Sequence, residues 1–139
     1  MKPTLIIDCS IAMAWCFADE GTGETAEIQD RLITEAAIVP AHWSLEVANV
    51  LAMAEKRKRI SIADATEFVK LLGALDIQVD EETTARVFDH VLPLSRSHAL
   101  TSYDAAYLEL ALRRRLPLAS LDDDLRRVAT SLGIQVLGK

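Results

Sequence analysis

The sequence predicts an α/β domain in which a parallel sheet lies between layers of helices. Short apolar runs alternate with longer stretches of helical spacing, which is the pattern of βα units. Several of those apolar runs stop at an acid, and a parallel sheet presents the carboxyl ends of its strands to the crevice where ligands bind. Aromatic residues are few and half the residues are hydrophobic, so the core is expected to be mainly aliphatic.

The first run, Leu5-Ile6-Ile7, reads as a buried strand ending at Asp8. Cys9 and Ser10 then lead into Ile11 to Phe17, the first turns of a buried helix, for which Asp8 is also a plausible N-cap. Asp19 to Gly23 is a turn signal, and Glu24 to Glu35 carries Ile28, Leu32 and Ile33 at helical spacing. Ala37 to Val39, closed by Pro40, is the second strand. A helix starts near Ala41 or His42 and runs to the basic stretch at Lys56, with Glu46 one turn in among apolar neighbours. Such a carboxylate either reaches solvent or has a partner that justifies its burial.

Ser61 and Asp64 form a capping signature for the next helix, which ends near Gly73. Leu75 to Val79 is the third strand. Glu81 to Ser97 reads as one or two helices, with Pro93 marking a break or kink. Ser102 is a suitable N-cap for a helix running through Leu112, with Asp104 in its first turn, and Ala105 and Ala106 allow that helix a close approach. Leu116 to Leu121 is the fourth strand and delivers Asp122-Asp123-Asp124 to a strand-to-helix junction. Only one of these three can be an N-cap. Leu125 to Leu132 closes the helices, Gly133 stops it, and Ile134 to Leu137 is a last edge strand. No repeat, low-complexity stretch or linker divides the chain, so residues 1–139 read as one domain. At this length a domain buries roughly 68–70% of the surface its unfolded chain exposes, enough for a core without staples.

Cys9 and Cys16 lack the spacing of a zinc site or a disulfide framework, which suits a reducing cytoplasm. No apolar run approaches a membrane span, and Asp8 interrupts the N-terminal run before a signal-peptide core forms. The expectation is a cytoplasmic protein that makes no use of a membrane. The net charge of −6 argues against a nucleic-acid binder, but nine of the fifteen basic residues cluster at Lys56-Arg57-Lys58-Arg59, Arg113-Arg114-Arg115 and Arg126-Arg127. Each cluster suits a solvated helix end, and the first two are also candidates to guide a nucleic acid.

Asp8, Glu46, Asp104 and Asp122 fall at one rim of an alternating βα chain. Two carboxylates about 4 Å apart repel by roughly 4 kcal/mol at an effective dielectric of 20, so four together call for protons or cations. All-oxygen donors select hard ions such as Mg²⁺ or Mn²⁺, and such a centre suits phosphoryl chemistry. His42, His90 and His98 show no ligand spacing and read as structural or surface residues.

The strand ending in Asp8 with Ser10 two residues on, Glu46 early in a helix, Tyr103-Asp104-Ala105-Ala106, and Leu118-Ala119-Ser120-Leu121-Asp122 together resemble a PIN-domain ribonuclease. The likeness is greatest to the VapC toxins of bacterial VapBC toxin–antitoxin pairs, and it spans essentially the whole chain. The resemblance implies a three-layer α/β/α fold with a four- or five-stranded parallel sheet, and Mg²⁺- or Mn²⁺-dependent cleavage of RNA. It also implies frequent homodimers and inhibition by a small cognate antitoxin of the VapB kind. Carried over by position, Asp8, Glu46, Asp104 and Asp122 would hold the metal and be catalytic, with Ser10 and Ser120 supporting the acids. Ser120 stands where threonine is usual, and Asp124 is an alternative or helper to Asp122. A phosphoaspartyl phosphatase wants a second Asp where this chain has Ser10, and a receiver domain wants an acidic pair at the first strand. The alternative is an interaction module on the same fold without activity, against which the presence of all four acids speaks.

Overall fold

The computed structural model describes residues 1–139. Five strands form one all-parallel sheet: β1 (Pro3–Ile7), β2 (Ala36–Val39), β3 (Ile77–Val79), β4 (Leu118–Ala119) and β5 (Val136–Leu137), in the spatial order β3-β2-β1-β4-β5. Seven α-helices flank it: α1 (Cys9–Cys16), α2 (Gly23–Arg31), α3 (Trp43–Lys56), α4 (Ile62–Ala74), α5 (Leu92–His98), α6 (Ser102–Arg114) and α7 (Asp123–Ser131). The expected three-layer α/β/α architecture is therefore present. Leu5, Ile6 and Ile7 have no solvent exposure and every residue of β2 is buried, as strands covered on both faces require. One contiguous core runs from Leu5 to Ile134.

From β1 the chain builds outward to β2 and β3, then returns to the other side of β1 for β4 and β5. The crevice outside β1 and β4 is thus the point where the strand order reverses, the preferred place for a ligand in an open parallel sheet. Asp8 follows β1 and Ser120 follows β4, so both stand in that crevice.

Helix starts are set by side-chain caps that satisfy first-turn N–H groups. Asp8 caps α1, Thr22 and Thr25 form a reciprocal box on α2, Ser61 caps α4 and Asp122 caps α7. The cap of α6 is Thr101 rather than Ser102, because the Thr101 hydroxyl accepts from the Asp104 N–H at 3.1 Å. Pro93 does not break the chain's helical course. A widened π turn over Val87–Val91 precedes it, and Pro93 sits at the start of α5, where its missing N–H matters least. At the end of α7, Gly133 takes the left-handed backbone (φ +80°) that stops the helix.

Candidate active site

Asp8 is 5% exposed and both of its carboxylate oxygens are occupied. Ser10 Oγ donates to Oδ1 and Ser120 Oγ to Oδ2, each at 2.5 Å, and the Ile11 N–H reaches Oδ1 at 3.3 Å. Each hydroxyl is itself oriented by a backbone donor. Ser10 Oγ accepts from the Leu121 N–H at 2.9 Å and Ser120 Oγ from the Asp122 N–H at 3.0 Å. The cap role expected of Asp8 and its place in a cluster of acids are thus held together. Burial pushes its pKa up to about 6, against the pull of the three donors, and the nearby Glu46 charge adds to the rise.

Glu46 lies in the first turn of α3, half-buried, and the partner that justifies its position is Tyr107, whose hydroxyl donates to Oε1. Burial raises the Glu46 pKa, the Tyr107 hydrogen bond lowers it, and Asp104 raises it further. The Asp104 pKa is raised first by burial, then by Asp122, with a smaller contribution from Asp124. The four acids singled out from the sequence are therefore linked electrostatically in series, Asp8 to Glu46 to Asp104 to Asp122. No three His, Cys, Asp or Glu side chains converge closely enough to hold a metal ion in this arrangement. Repulsion among carboxylates without a countercharge opposes closer approach.

The acidic triplet divides its tasks. Asp122 Oδ1 accepts the Leu125 N–H at 2.8 Å, which leaves Oδ2 for other work. Asp123 pairs with Lys139 at 2.5 Å, and Asp124 stays exposed, with Arg127 3.5 Å away.

Two contributors escaped the sequence reading. His42 is no bystander: its Nε2 lies 3.5 Å from Glu46 Oε1 and 3.0 Å from the Tyr103 carbonyl, to which the neutral ring donates. Tyr107, nearly inaccessible, anchors Glu46 from beneath. The signals were the four-residue spacings His42/Glu46 and Tyr103/Tyr107, each of which places two side chains on one helical face.

One residue in each of the first two basic clusters is committed to acids of the chain itself. Arg113 is 13% exposed, because its guanidinium is committed to Asp80 (2.6 Å), Glu109 (2.9 Å) and Glu82 (3.1 Å), and Arg86 also binds Glu109. Although burial alone would raise the Asp80 pKa, Arg113 and Thr83 hold that carboxyl below its usual value. Arg113 is a structural ion-pair centre and not a free RNA contact. Arg114 and Arg115 follow it at the end of α6, ten and eleven residues beyond Asp104, about 15 Å along a helix axis. Lys56 to Arg59 begin ten residues after Glu46, a similar distance along α3, and adjoin Cys16 and Phe17 at the far end of α1. Within that run Arg59 pairs with Asp19 and Glu20 and lies over the Phe17 ring. Neither cluster borders the carboxylates.

Residues 5–131 match the family model described as the PIN domain. The chain belongs to the PIN-domain family. Among solved structures, this PIN domain is similar to PAE2754 from Pyrobaculum aerophilum, at 21% identity and a TM-score of 0.70, over 98% of this chain and 92% of that one. It is also similar to a toxin–antitoxin complex from Klebsiella pneumoniae, at 17% identity and a TM-score of 0.57, over 86% of this chain and 87% of that one. No curated protein matches. At such identities the likeness is one of fold. No helix of the PIN domain is long and apolar enough to cross a membrane.

Proposed function

We propose that this PIN domain is a metal-dependent endoribonuclease of the toxin kind, held inactive by a small cognate antitoxin. The observation that carries the reading is the electrostatic series from Asp8 through Glu46 and Asp104 to Asp122 at the strand-order switch point. Asp8, Glu46 and Asp104, whose proton affinity is raised by burial and by a neighbouring acid, are unfavourable as bare carboxylates and call for a cationic ligand.

The donor set fits Mg²⁺ or Mn²⁺, being made of carboxylate oxygens with no thiolate or imidazole. Asp8, Glu46, Asp104 and Asp122 would hold the ion, with Asp124 at hand as a helper. A hard divalent cation bound there supplies the charge that activates a water and offsets charge developing on the scissile phosphate. The chain's own residues fix the geometry. Ser10 and Ser120 aim Asp8, Tyr107 aims Glu46, and Thr101 together with the first turn of α6 presents Asp104. The Klebsiella pneumoniae neighbour is a toxin–antitoxin complex. For this chain a VapB-like partner would act by sending a basic side chain, Arg by preference, among the acids and competing with the metal. A homodimer belongs to the same reading.

The test is incubation of purified protein with tRNA and rRNA fragments in Mg²⁺, Mn²⁺ or EDTA, beside Asp8→Asn. Cleavage that needs the metal and is lost in the variant is expected. Equal cleavage in EDTA, or full activity of Asp8→Asn, overturns the proposal.

A further inference from the structure

Two aromatic side chains of this protein stand open to solvent, Phe88 at 80% and Tyr103 at 65% exposure. Tyr103 is the one beside the acids: it immediately precedes Asp104 in the first turn of α6. One helical turn on, Tyr107 lies on the same face and reaches Glu46. The His42 ring sits against both, with centroid distances of 5.7 Å to Tyr103 and 5.4 Å to Tyr107. Its Nε2 hydrogen-bonds the Tyr103 carbonyl at 3.0 Å, tying the start of α6 to the start of α3. The Tyr103 ring is thus backed on one side by an imidazole that also borders Glu46, and is open elsewhere.

An RNA strand approaching this rim meets repulsion from the carboxylates. The cations of α7 and the C-terminal Lys139 already face partners of their own. Arg126 Nη1 donates to the Ser120 and Leu137 carbonyls, both at 2.8 Å, while Lys139 and Arg127 face Asp123 and Asp124. Affinity beside the scissile phosphate therefore calls for a contact that does not depend on phosphate charge. A base offers such a contact through its π face, and aromatic side chains take up unpaired bases of any sequence in this way.

We propose that Tyr103 is the platform on which an unpaired RNA base next to the scissile phosphate stacks. The inference rests on the ribonuclease reading and names a residue that positions the substrate. A base inside a duplex is already stacked on its neighbours and cannot lie on the ring without being extruded.

The experiment measures binding of a fluorescent mixed-sequence 12-mer oligoribonucleotide and of the same strand annealed to its complement. Wild type, Tyr103→Phe and Tyr103→Ala are compared in EDTA, which prevents metal-dependent cleavage, with thermal melts as the control for folding. Tyr103→Ala should weaken single-strand binding by about 5- to 100-fold, the range of one base–aromatic stack, while Tyr103→Phe stays near wild type and the melts are unchanged. With metal restored, Tyr103→Ala should raise KM by more than it lowers kcat. Equal single-strand binding by wild type and Tyr103→Ala, or duplex bound as tightly as single strand, overturns the platform. If wild type still cuts RNA in that case, the nuclease reading stands alone; if wild type neither binds nor cuts RNA, both fall.

Discussion

Tyr107 and Glu46, 61 residues apart in the chain, meet through a hydrogen bond that joins the interior of α6 to the first turn of α3. Burial keeps the tyrosine protonated by pushing its pKa up, so the phenol is always the donor. Tyr107→Phe keeps the ring and removes the donor. The half-buried carboxylate then loses its support, which costs about 1–3 kcal/mol in a denaturant melt. Mn²⁺ affinity, followed by calorimetry, should drop roughly 10- to 100-fold, as it does when an outer partner of a metal ligand is lost. Unchanged affinity would separate Tyr107 from the site.

Asp8 sets a pH dependence whose sign follows from its raised pKa. The unfolded chain loses this proton near 3.8 and the folded chain near 6. Between those values the folded state holds more proton, so the contribution is fully present below pH 4 and disappears as pH rises past 6. The loss amounts to roughly 3 kcal/mol in the metal-free protein at neutral pH. Asp8→Asn cannot titrate. Urea melts of both proteins in EDTA at pH 4.5 and 7.5 should therefore show the variant gaining on wild type as pH rises, and a constant difference contradicts the assignment.

Asp104 is freed from a capping role by Thr101, whose hydroxyl takes the Asp104 N–H. Its charge, by contrast, lies among like charges. Asp104→Asn should leave the metal-free protein at least as stable as wild type while metal affinity and RNA cleavage fall. A clear loss of metal-free stability with activity retained is the outcome that excludes Asp104 from the chemistry.

Arg113 lies between Asp80 and Glu109, both buried. Removing it leaves Asp80 without a cation and Glu109 with Arg86 alone, and breaking a buried pair of this kind costs about 3–5 kcal/mol. Arg113→Gln should show that loss in chemical denaturation. The salt slope of RNA binding, measured under conditions where the variant remains folded, should equal that of wild type, because no phosphate contact has been removed.

The strands and most of the helices were legible because they rest on local signals. Leu5 to Ile7 is too short and too apolar for anything but a covered strand, and Ser61 with Asp64 announces α4 within four residues. The acids stood out because they recur at strand ends and helix starts. Long-range pairing was not legible. Nothing near Arg113 reveals that Asp80, 33 residues earlier, will meet it, so three consecutive arginines read as a solvent-facing patch. The turn at Val87–Val91 was hidden for a related reason, since a widened helical turn has no residue signature beyond the proline that follows it. His42 was set aside for want of metal-ligand spacing, although the four-residue interval to Glu46 already placed both on one face.

The two serines that grip Asp8 come from distant parts of the chain, one in the first turn of α1 and the other 110 residues later, after β4. A ribosome making this protein releases the first acid early and its second hydroxyl clamp very late. Until Ser120 emerges, Asp8 is held at Oδ1 alone and β1 has a bare flank. Order of synthesis therefore postpones the second half of that grip until the last strands of the sheet are made.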